Sequence, residues 1–276
     1  MLDHDATAIK AMYDERSESY DNSIHASLAQ QHIENAQLKP GQSVLDLACG
    51  TGLVTLLAKQ QVGQGKVVGV DFSEGMLDVA HKKTQQQNLE IEYYQHDISN
   101  LDELQLLSKV ERGFDVIFCV AALVLLKDPQ RVVKHWASLL APNGKLLVDA
   151  NPEGSMLAAS ILKEIGSEIG QSLIWDDSSV NSESSLQRLF ENIGLVVERV
   201  YTSGVYETRT FMVGEGPEIF EKTVASPMFR NFGDAATREK AKALFVKKLQ
   251  ARADGDGFVY EDVRFYFGVA RKRLVE

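Results

Sequence analysis

Residues 44–52 read VLDLACGTG: an apolar run with Asp46 inside it, ending in a bend built from Gly50 and Gly52. A carboxylate in a buried strand is costly unless something partners it. A glycine bend directly after a strand lets the backbone approach a ligand closely. The stretch therefore predicts a strand, a ligand-facing turn and a helix, and the remaining chain must identify the ligand.

From residue 43 to 150, short β-branched runs alternate with longer helical patterns. Strands are expected at Ser43–Leu47, Lys66–Asp71 (KVVGVD), Glu90–Asp97 (EIEYYQHD), Phe114–Val120 (FDVIFCV) and in KLLVDA. Helices are expected at Gly52–Gln60, at Ser73–Gln87 capped by Ser73, and after Asp128-Pro129, where Val132, Val133, Trp136, Leu139 and Leu140 form one apolar stripe. This alternation is that of βαβ units and a parallel, doubly wound sheet.

After Ala150 the pattern predicts helices around Ser155–Ile165 and Ser184–Ile193, the second with Ser184 and Gln187 spaced as a capping box. A strand follows at Leu195–Tyr201. Two helical patterns, Pro217–Val224 and Ala235–Ala253, precede a final strand in FVYEDVRFYFGVARK. They interrupt two strands, so residues 204–256 read as an insertion rather than a separate domain. The forty residues before the first strand are mostly helical and carry Tyr13 and Tyr20, seven apart and thus expected on one helical face.

The chain of 276 residues is 44% hydrophobic and 25% charged, as in ordinary globular proteins. Its formal net charge of -10 disfavours nucleic-acid binding, and ARKR at 270–273 reads as a solvated strand end. Cys49 and Cys119 lie in apolar strand-like contexts, which suits a reducing compartment and gives no metal-ligand spacing. MLDHDATAIK resembles neither a secretory signal nor a transit peptide, and no apolar run approaches the ~20 residues that span a bilayer. The expectation is a soluble, cytoplasmic protein with no membrane or nucleic-acid partner.

A glycine-rich turn at the carboxyl ends of parallel strands suits a nucleotide. A nicotinamide dinucleotide calls for G-x-G-x-x-G, but the run here is GTGLVT and lacks the third glycine. Asp46, four residues before Gly50, would also serve a pyrophosphate poorly. A ligand carrying an ammonium, a carboxylate and a sulfonium fits better. Asp71 closes VVGVD, 25 positions after Asp46, where it can accept from both ribose hydroxyls. Phe72 and Met76 are able to sandwich an adenine. Asp97 and Ile98 follow the third strand, where a carboxylate can accept from an exocyclic amine, and Cys119–Ala121 ends the fourth strand at the crevice centre.

Among the histidines, His25 lies in the N-terminal segment and is a candidate base. His81 and His135 fall on helices as surface residues, and His96 precedes Asp97 on a strand. Tyr206, Phe211, Phe220, Phe229, Phe232 and Tyr266 could line an acceptor pocket, or simply pack.

VLDLACGTG, VVGVDFSEGML, YYQHDIS and FDVIFCVAALVLLKDP followed by LLAPNGKLLV resemble, in order and spacing, the successive motifs of class I S-adenosylmethionine-dependent methyltransferases. The resemblance covers residues 10 to 150 and is nearest the small-molecule and ubiquinone/menaquinone C-methyltransferase branch. It implies an α/β fold: a doubly wound, mostly parallel seven-stranded sheet, Rossmann-like, with an N-terminal helical lid (1–40), a cofactor-binding core (41–150) and remaining strands with a helical insertion (151–276) that shape an acceptor pocket.

The resemblance also implies S-adenosyl-L-methionine as cofactor and S-adenosyl-L-homocysteine as product. Gly50 and Gly52 would line the methionine part, Asp46 would help hold its ammonium, and Asp71 would bind the ribose. Phe72 and Met76 would pack on adenine, Asp97 with Ile98 would read its edge, and Cys119 would approach the sulfonium. Tyr13 and Tyr20 match aromatic positions of the helix that folds over the cofactor. Many relatives carry a histidine after the fourth strand, and this chain has AALVLLKD there, so no catalytic histidine carries over; Tyr20 and His25 are the candidates left. The expected reaction is methyl transfer to a small hydrophobic or aromatic acceptor. The alternatives are an RNA or protein methyltransferase, which would need a basic face, and a cofactor-binding member of the fold that does not methylate.

Overall fold

A computed structural model describes residues 4–106, 110–171 and 179–274. In chain order it contains α1 (His4–Arg16), α2 (His25–Ala36), β1 (Val44–Leu47), α3 (Leu53–Val62), β2 (Val67–Asp71), α4 (Glu74–Gln86) and β3 (Glu92–Gln95). Then come β4 (Phe114–Cys119), α5 (Pro129–Ser138), β5 (Leu140–Ala150), α6 (Leu157–Ile169), α7 (Glu183–Asn192) and β6 (Val196–Thr202). Last are β7 (Glu207–Met212), α8 (Gly216–Val224), α9 (Arg238–Gln250), β8 (Phe258–Val263) and β9 (Tyr266–Arg271). No helix among the described residues is long and apolar enough to cross a membrane.

The chain divides into two compact units. One comprises Tyr13–Asn151, Asp177–Ser203 and Phe265–Glu276. It holds a seven-stranded sheet of order β3-β2-β1-β4-β5-β9-β6, covered by helices on both faces. β3, β2, β1, β4 and β5 run parallel, and β9 lies antiparallel between β5 and β6. The strand order reverses between β1 and β4, and in such sheets ligands bind outside the carboxyl ends at that reversal.

β1, β2 and β4 are apolar because both faces of a parallel sheet are covered. Val44, Val67, Val116, Phe118 and Leu147 pack with Ala29 and Ile33 of α2 and Val54 and Ala58 of α3. Asp128 caps α5 by accepting from the Arg131 N–H, and the predicted stripe through Val132, Val133 and Trp136 is fully buried.

The other unit comprises Met1–Met12, Pro152–Asp176 and Gly204–Arg264, so the predicted insertion falls within it. Its core joins Ile161, Leu162 and Ile165 of α6, Phe220 of α8 and Phe245 and Leu249 of α9 with Phe229 and Phe232. Phe220, Phe229 and Phe232 thus fill this unit's own interior. Its two strands, β7 and β8, pair antiparallel.

Three local expectations need correction. The predicted final strand is two: β8 pairs with β7, and β9 enters the large sheet. The chain changes sheets at Arg264-Phe265, where Ser203 and Phe265 bond to each other through the Ser203 N–H, the Phe265 N–H and the Ser203 hydroxyl. The capping box of α7 is formed by Ser182 and Ser185, not Ser184 and Gln187, because Ser182 has the extended backbone a cap needs (φ -146°). Tyr13 and Tyr20 do not share one helix: α1 ends at Arg16 and a single tight turn, Ser17–Ser19, follows.

Candidate cofactor site

The β1 turn is shaped by three left-handed residues, Ala48 (φ 56°), Gly50 (φ 54°) and Gly52 (φ 82°). Glycine takes this conformation freely, whereas an alanine is held there at a cost of about 1–2 kcal/mol. Ala121 (φ 55°), just past β4, is bent in the same way. The two strained alanines therefore flank the β1/β4 reversal, and such strain persists where surrounding structure over-determines it.

The two glycines face different neighbours. A methyl group on Gly50 would point between the Met76 sulfur and the Tyr20 ring, each 4.0 Å away. A methyl group on Gly52 would meet the Tyr93 hydroxyl at 3.1 Å and Ala80 at 3.3 Å, and its N–H closes the turn onto the Cys49 carbonyl. Gly50 leaves room toward the predicted ligand side, and Gly52 admits α4 and β3.

Asp46 is 1% exposed, and its carboxylate accepts from the Thr55 hydroxyl of α3 at 2.5 Å. Burial, reinforced by the Asp71 charge and opposed by the Thr55 hydrogen bond, raises its pKa to about 7. Asp71, 5% exposed, accepts from the Gly50 N–H with one oxygen and the Ser73 N–H with the other, both at 2.8 Å. Burial raises its pKa as well, against these backbone hydrogen bonds. Among the described residues neither carboxylate forms an ion pair. Two buried acids at the ends of adjacent strands, short of a cation, are poised for a cationic, hydroxyl-bearing ligand.

Around them the structure brings together most of the predicted residues. Phe72 meets the edge of Tyr13 (centroids 6.3 Å), Tyr13 the edge of Tyr20 (6.5 Å), and Tyr20 stacks on His25 (4.3 Å). The His25 Nδ1 is bonded to the Ser23 hydroxyl at 2.6 Å. Burial pushes both tyrosine hydroxyls above their ordinary pKa, Tyr20 strongly, so Tyr20 is a hydroxyl donor at neutral pH rather than a base. Met76 is buried on α4, and Cys119 is buried at the end of β4 with its thiol pKa pushed well up by burial, then by Asp149. That suits a small apolar strand residue and not a nucleophile.

Asp97 is exposed, its carboxylate turned onto the Ser99 N–H (2.8 Å), while the Ile98 carbonyl accepts from the Trp136 indole (2.8 Å). His135, expected on the surface, is half-buried, and its Nε2 accepts from the Leu101 N–H (3.3 Å). Adjacent residues of α5 thus pin the loop that Asp97 and Ile98 begin. His81 is exposed and edges the Tyr93 ring (4.8 Å), and His96 bonds the Asn100 carbonyl (2.8 Å).

Several residues escaped the sequence reading. His32, fully buried on α2, meets Asp149 of β5 through Nε2 at 2.8 Å, and both Asp149 oxygens also accept from the Ala121 N–H (3.0 and 3.1 Å). An acid inside the apolar strand KLLVDA was the available signal, the same one that singled out Asp46. Asp14, Asp21 and Thr51 also hold the crevice, and their role shows only in the contacts they make across the chain.

These residues fit a sulfonium nucleoside. The room beside Gly50, bounded by Tyr20 and Met76, admits a ligand close to the backbone, and each Asp71 oxygen keeps a lone pair beyond the N–H it already accepts. Residues 44–144 match the family model described as a methyltransferase domain. The chain is 41% identical over 117 residues to a ubiquinone biosynthesis O-methyltransferase of Coxiella burnetii, covering 42% of this chain and 46% of that protein. It is 32% identical over 143 residues to a demethylmenaquinone methyltransferase of Lactobacillus johnsonii, covering 51% and 56%. The chain thus spans about half the length of the curated relatives it matches. Its fold is similar to that of magnesium protoporphyrin IX methyltransferase of Synechocystis, solved with S-adenosylhomocysteine bound: TM-score 0.51 at 14% identity, covering 99% of this chain and 88% of that one. The motif order, the sheet with its β1/β4 reversal and the family match agree: residues 44–144 form a methyltransferase domain of the class I, S-adenosylmethionine-dependent kind.

Proposed function

We propose that this protein moves a methyl group from S-adenosylmethionine to a small, hydrophobic, aromatic-sized acceptor. The observation that carries the reading is the pair of buried acids, Asp46 and Asp71, on β1 and β2, neither of them in an ion pair among the described residues. When bound, the cofactor would supply an electrophilic sulfonium methyl: an ionised acceptor atom would take the methyl carbon in line as the carbon–sulfur bond breaks, with neutral S-adenosylhomocysteine as the leaving group and the acceptor's proton already lost to solvent. Asp46 would hold the ammonium, and Asp71 would take the ribose hydroxyls with the lone pairs left on its two oxygens. Phe72 and Met76 would pack on the adenine, Asp97 and Ile98 would border its edge, and Gly50 would give the methionine part its room.

Holding nucleophile and methyl in line supplies several kcal/mol of the barrier reduction without a strong base. The segment after β4, AALVLL, offers apolar lining, and Leu123 and Val124 are buried there. Tyr20 can orient an acceptor oxygen by donating its hydroxyl, and His25 behind it is the nearest imidazole in the chain of rings. The names of the relatives make a phenol or hydroquinone ring the acceptor class to try first.

Calorimetry with S-adenosylhomocysteine tests the cofactor reading. Wild type is expected to bind, and Asp71→Ala to bind about 100-fold more weakly, as befits two charge-assisted hydrogen bonds. A screen of phenolic and quinol acceptors for methyl transfer then tests the rest. No heat from wild type with this ligand, together with binding of a nicotinamide dinucleotide, would overturn the proposal.

A further inference from the structure

Each tyrosine that faces the crevice is followed at once by an aspartate, in AMYDERSESYDN: Tyr13-Asp14 and Tyr20-Asp21. Both aspartates are anchored. The Asp14 carboxylate accepts from the Ser73 hydroxyl (2.6 Å) and the Gly75 N–H (3.0 Å), at the start of α4. Ser73 is the cap of that helix and accepts from the Met76 N–H (3.1 Å), so Asp14 extends a helix cap with a second, charged acceptor. Gly75 shows how close this approach is: a methyl group there would lie 3.0 Å from the Asp14 backbone. Asp21 accepts from the Thr51 hydroxyl with one oxygen and from the Lys83 ammonium with the other, both at 2.5 Å. Thr51 is the residue between Gly50 and Gly52 and is 1% exposed, so Asp21 is tied to the glycine turn itself.

We infer that Asp14 and Asp21 are positioning residues forming a two-point latch: they bind the N-terminal segment to the α4 cap and the glycine turn, hold Tyr13 and Tyr20 over the nucleoside, and must release before it leaves. Fixing an aspartate fixes the backbone of the tyrosine before it, so the same contacts that seat the segment set the ring positions. Asp21 is held partly through the Lys83 ammonium, which makes that point of the latch salt-sensitive. The inference rests on the crevice being the S-adenosylmethionine site, and it concerns how long a nucleoside stays there rather than whether one fits.

The test is the dissociation rate and affinity of S-adenosylhomocysteine, with amide hydrogen exchange of the ligand-free protein beside it. Asp14→Ala and Asp21→Ala are expected to raise the dissociation rate about 10-fold each, a change of ~1.4 kcal/mol, with little effect on association. Asp14→Asn should recover most of the loss, because an amide oxygen still accepts from Ser73 and Gly75. Asp21→Asn should recover less, because the Lys83 attraction is gone, and its rate should lose the salt dependence seen in wild type. Gly75→Ala, which displaces α1 without touching either carboxylate, should speed dissociation in the same way. In the ligand-free variants, exchange across residues 13–21 should quicken. Unchanged dissociation and exchange in the alanine variants would overturn the latch, as would Asn and Ala behaving alike at position 14. A wild type that binds no S-adenosylhomocysteine but shows the exchange changes would instead overturn the cofactor site and leave the anchoring contacts standing.

Discussion

Asp46→Asn is expected to stabilise the protein at pH 8 while weakening its hold on S-adenosylhomocysteine. The Asp46 carboxyl has a folded-state pKa of about 7, against ~3.9 for a free aspartate. The folded state therefore binds this proton more tightly than the unfolded chain does. The sign follows from linkage: the group favours the fold below pH ~4, its contribution falls as pH rises from ~4 to ~7, and above that the ionised, buried form carries the full penalty. That penalty is roughly 2–4 kcal/mol. An amide keeps the acceptor for Thr55 but adds an N–H₂ that needs a partner, which offsets about 1 kcal/mol or more.

The net gain of ~1–3 kcal/mol corresponds to a rise in Tm of roughly 2–10 °C. It should reverse near pH 4, to a loss of about 1 kcal/mol, because the wild-type carboxyl is protonated there as well and only the cost of the added N–H₂ remains. Affinity should move the other way, by about 10- to 100-fold at pH 8, because the ammonium loses its carboxylate. Wild-type binding near pH 7 should also release a proton, seen as a heat that depends on the buffer and missing in Asp46→Asn. Parallel Tm-against-pH curves for the two proteins would sink this account. A site that costs stability until its ligand arrives is the usual trade between activity and fold.

Asp46 was legible because its signal is local: an acid in an apolar tetrapeptide. The parallel strands β1 to β5 were legible for the same reason, since each contains a short apolar or alternating run next to a turn. What failed to show depends on distant parts of the chain. β8 and β9 form one continuous strand-like stretch, and only their partners, β7 for one and β5 with β6 for the other, divide it. Asp14 and Asp21 look like ordinary solvated acids, and they acquire meaning only from Ser73, Gly75, Thr51 and Lys83. Ala48 and Ala121 are left-handed without the glycine that would announce it. His32 sits on the apolar face of α2 beside Ala29, Ile33 and Ala36, where a lone histidine reads as core.

Cutting the His32–Asp149 contact should cost more stability than any other single change near the crevice. The pair is 117 residues apart in sequence, and His32 and Asp149 are 0% and 2% exposed. A carboxylate only accepts, so the His32 Nε2 donates, and Nδ1 on the other side of the ring has no hydrogen-bond partner among the described residues. Asp149 is thus the hydrogen-bond partner of the His32 ring among the described residues, and it also takes the N–H of Ala121, the left-handed corner at the end of β4.

Asp149→Ala strands both donors in the core at ~1–3 kcal/mol apiece. His32→Phe leaves the carboxylate without its strongest donor, an unpaired buried charge worth about 3–5 kcal/mol. Either change should lower Tm by roughly 5–15 °C. The double variant His32→Phe/Asp149→Leu replaces the pair with apolar groups and should recover a large part of the loss, giving a coupling of about 1–3 kcal/mol in the cycle. Asp149→Asn distinguishes clamp from scaffold: its amide oxygen in the Oδ2 place can still accept from His32 and Ala121, but its N–H₂ then replaces the Oδ1 that also took the Ala121 N–H, setting donor against donor at that corner. S-adenosylhomocysteine affinity should then stay within about 3-fold of wild type while methyl transfer to an accepted phenol falls about 10-fold or more, because the displaced corner begins the segment proposed to border the acceptor. Single variants within ~1 kcal/mol of wild type, or an Asn variant that loses cofactor affinity and turnover equally, would mean that the pair does not set the β4 corner.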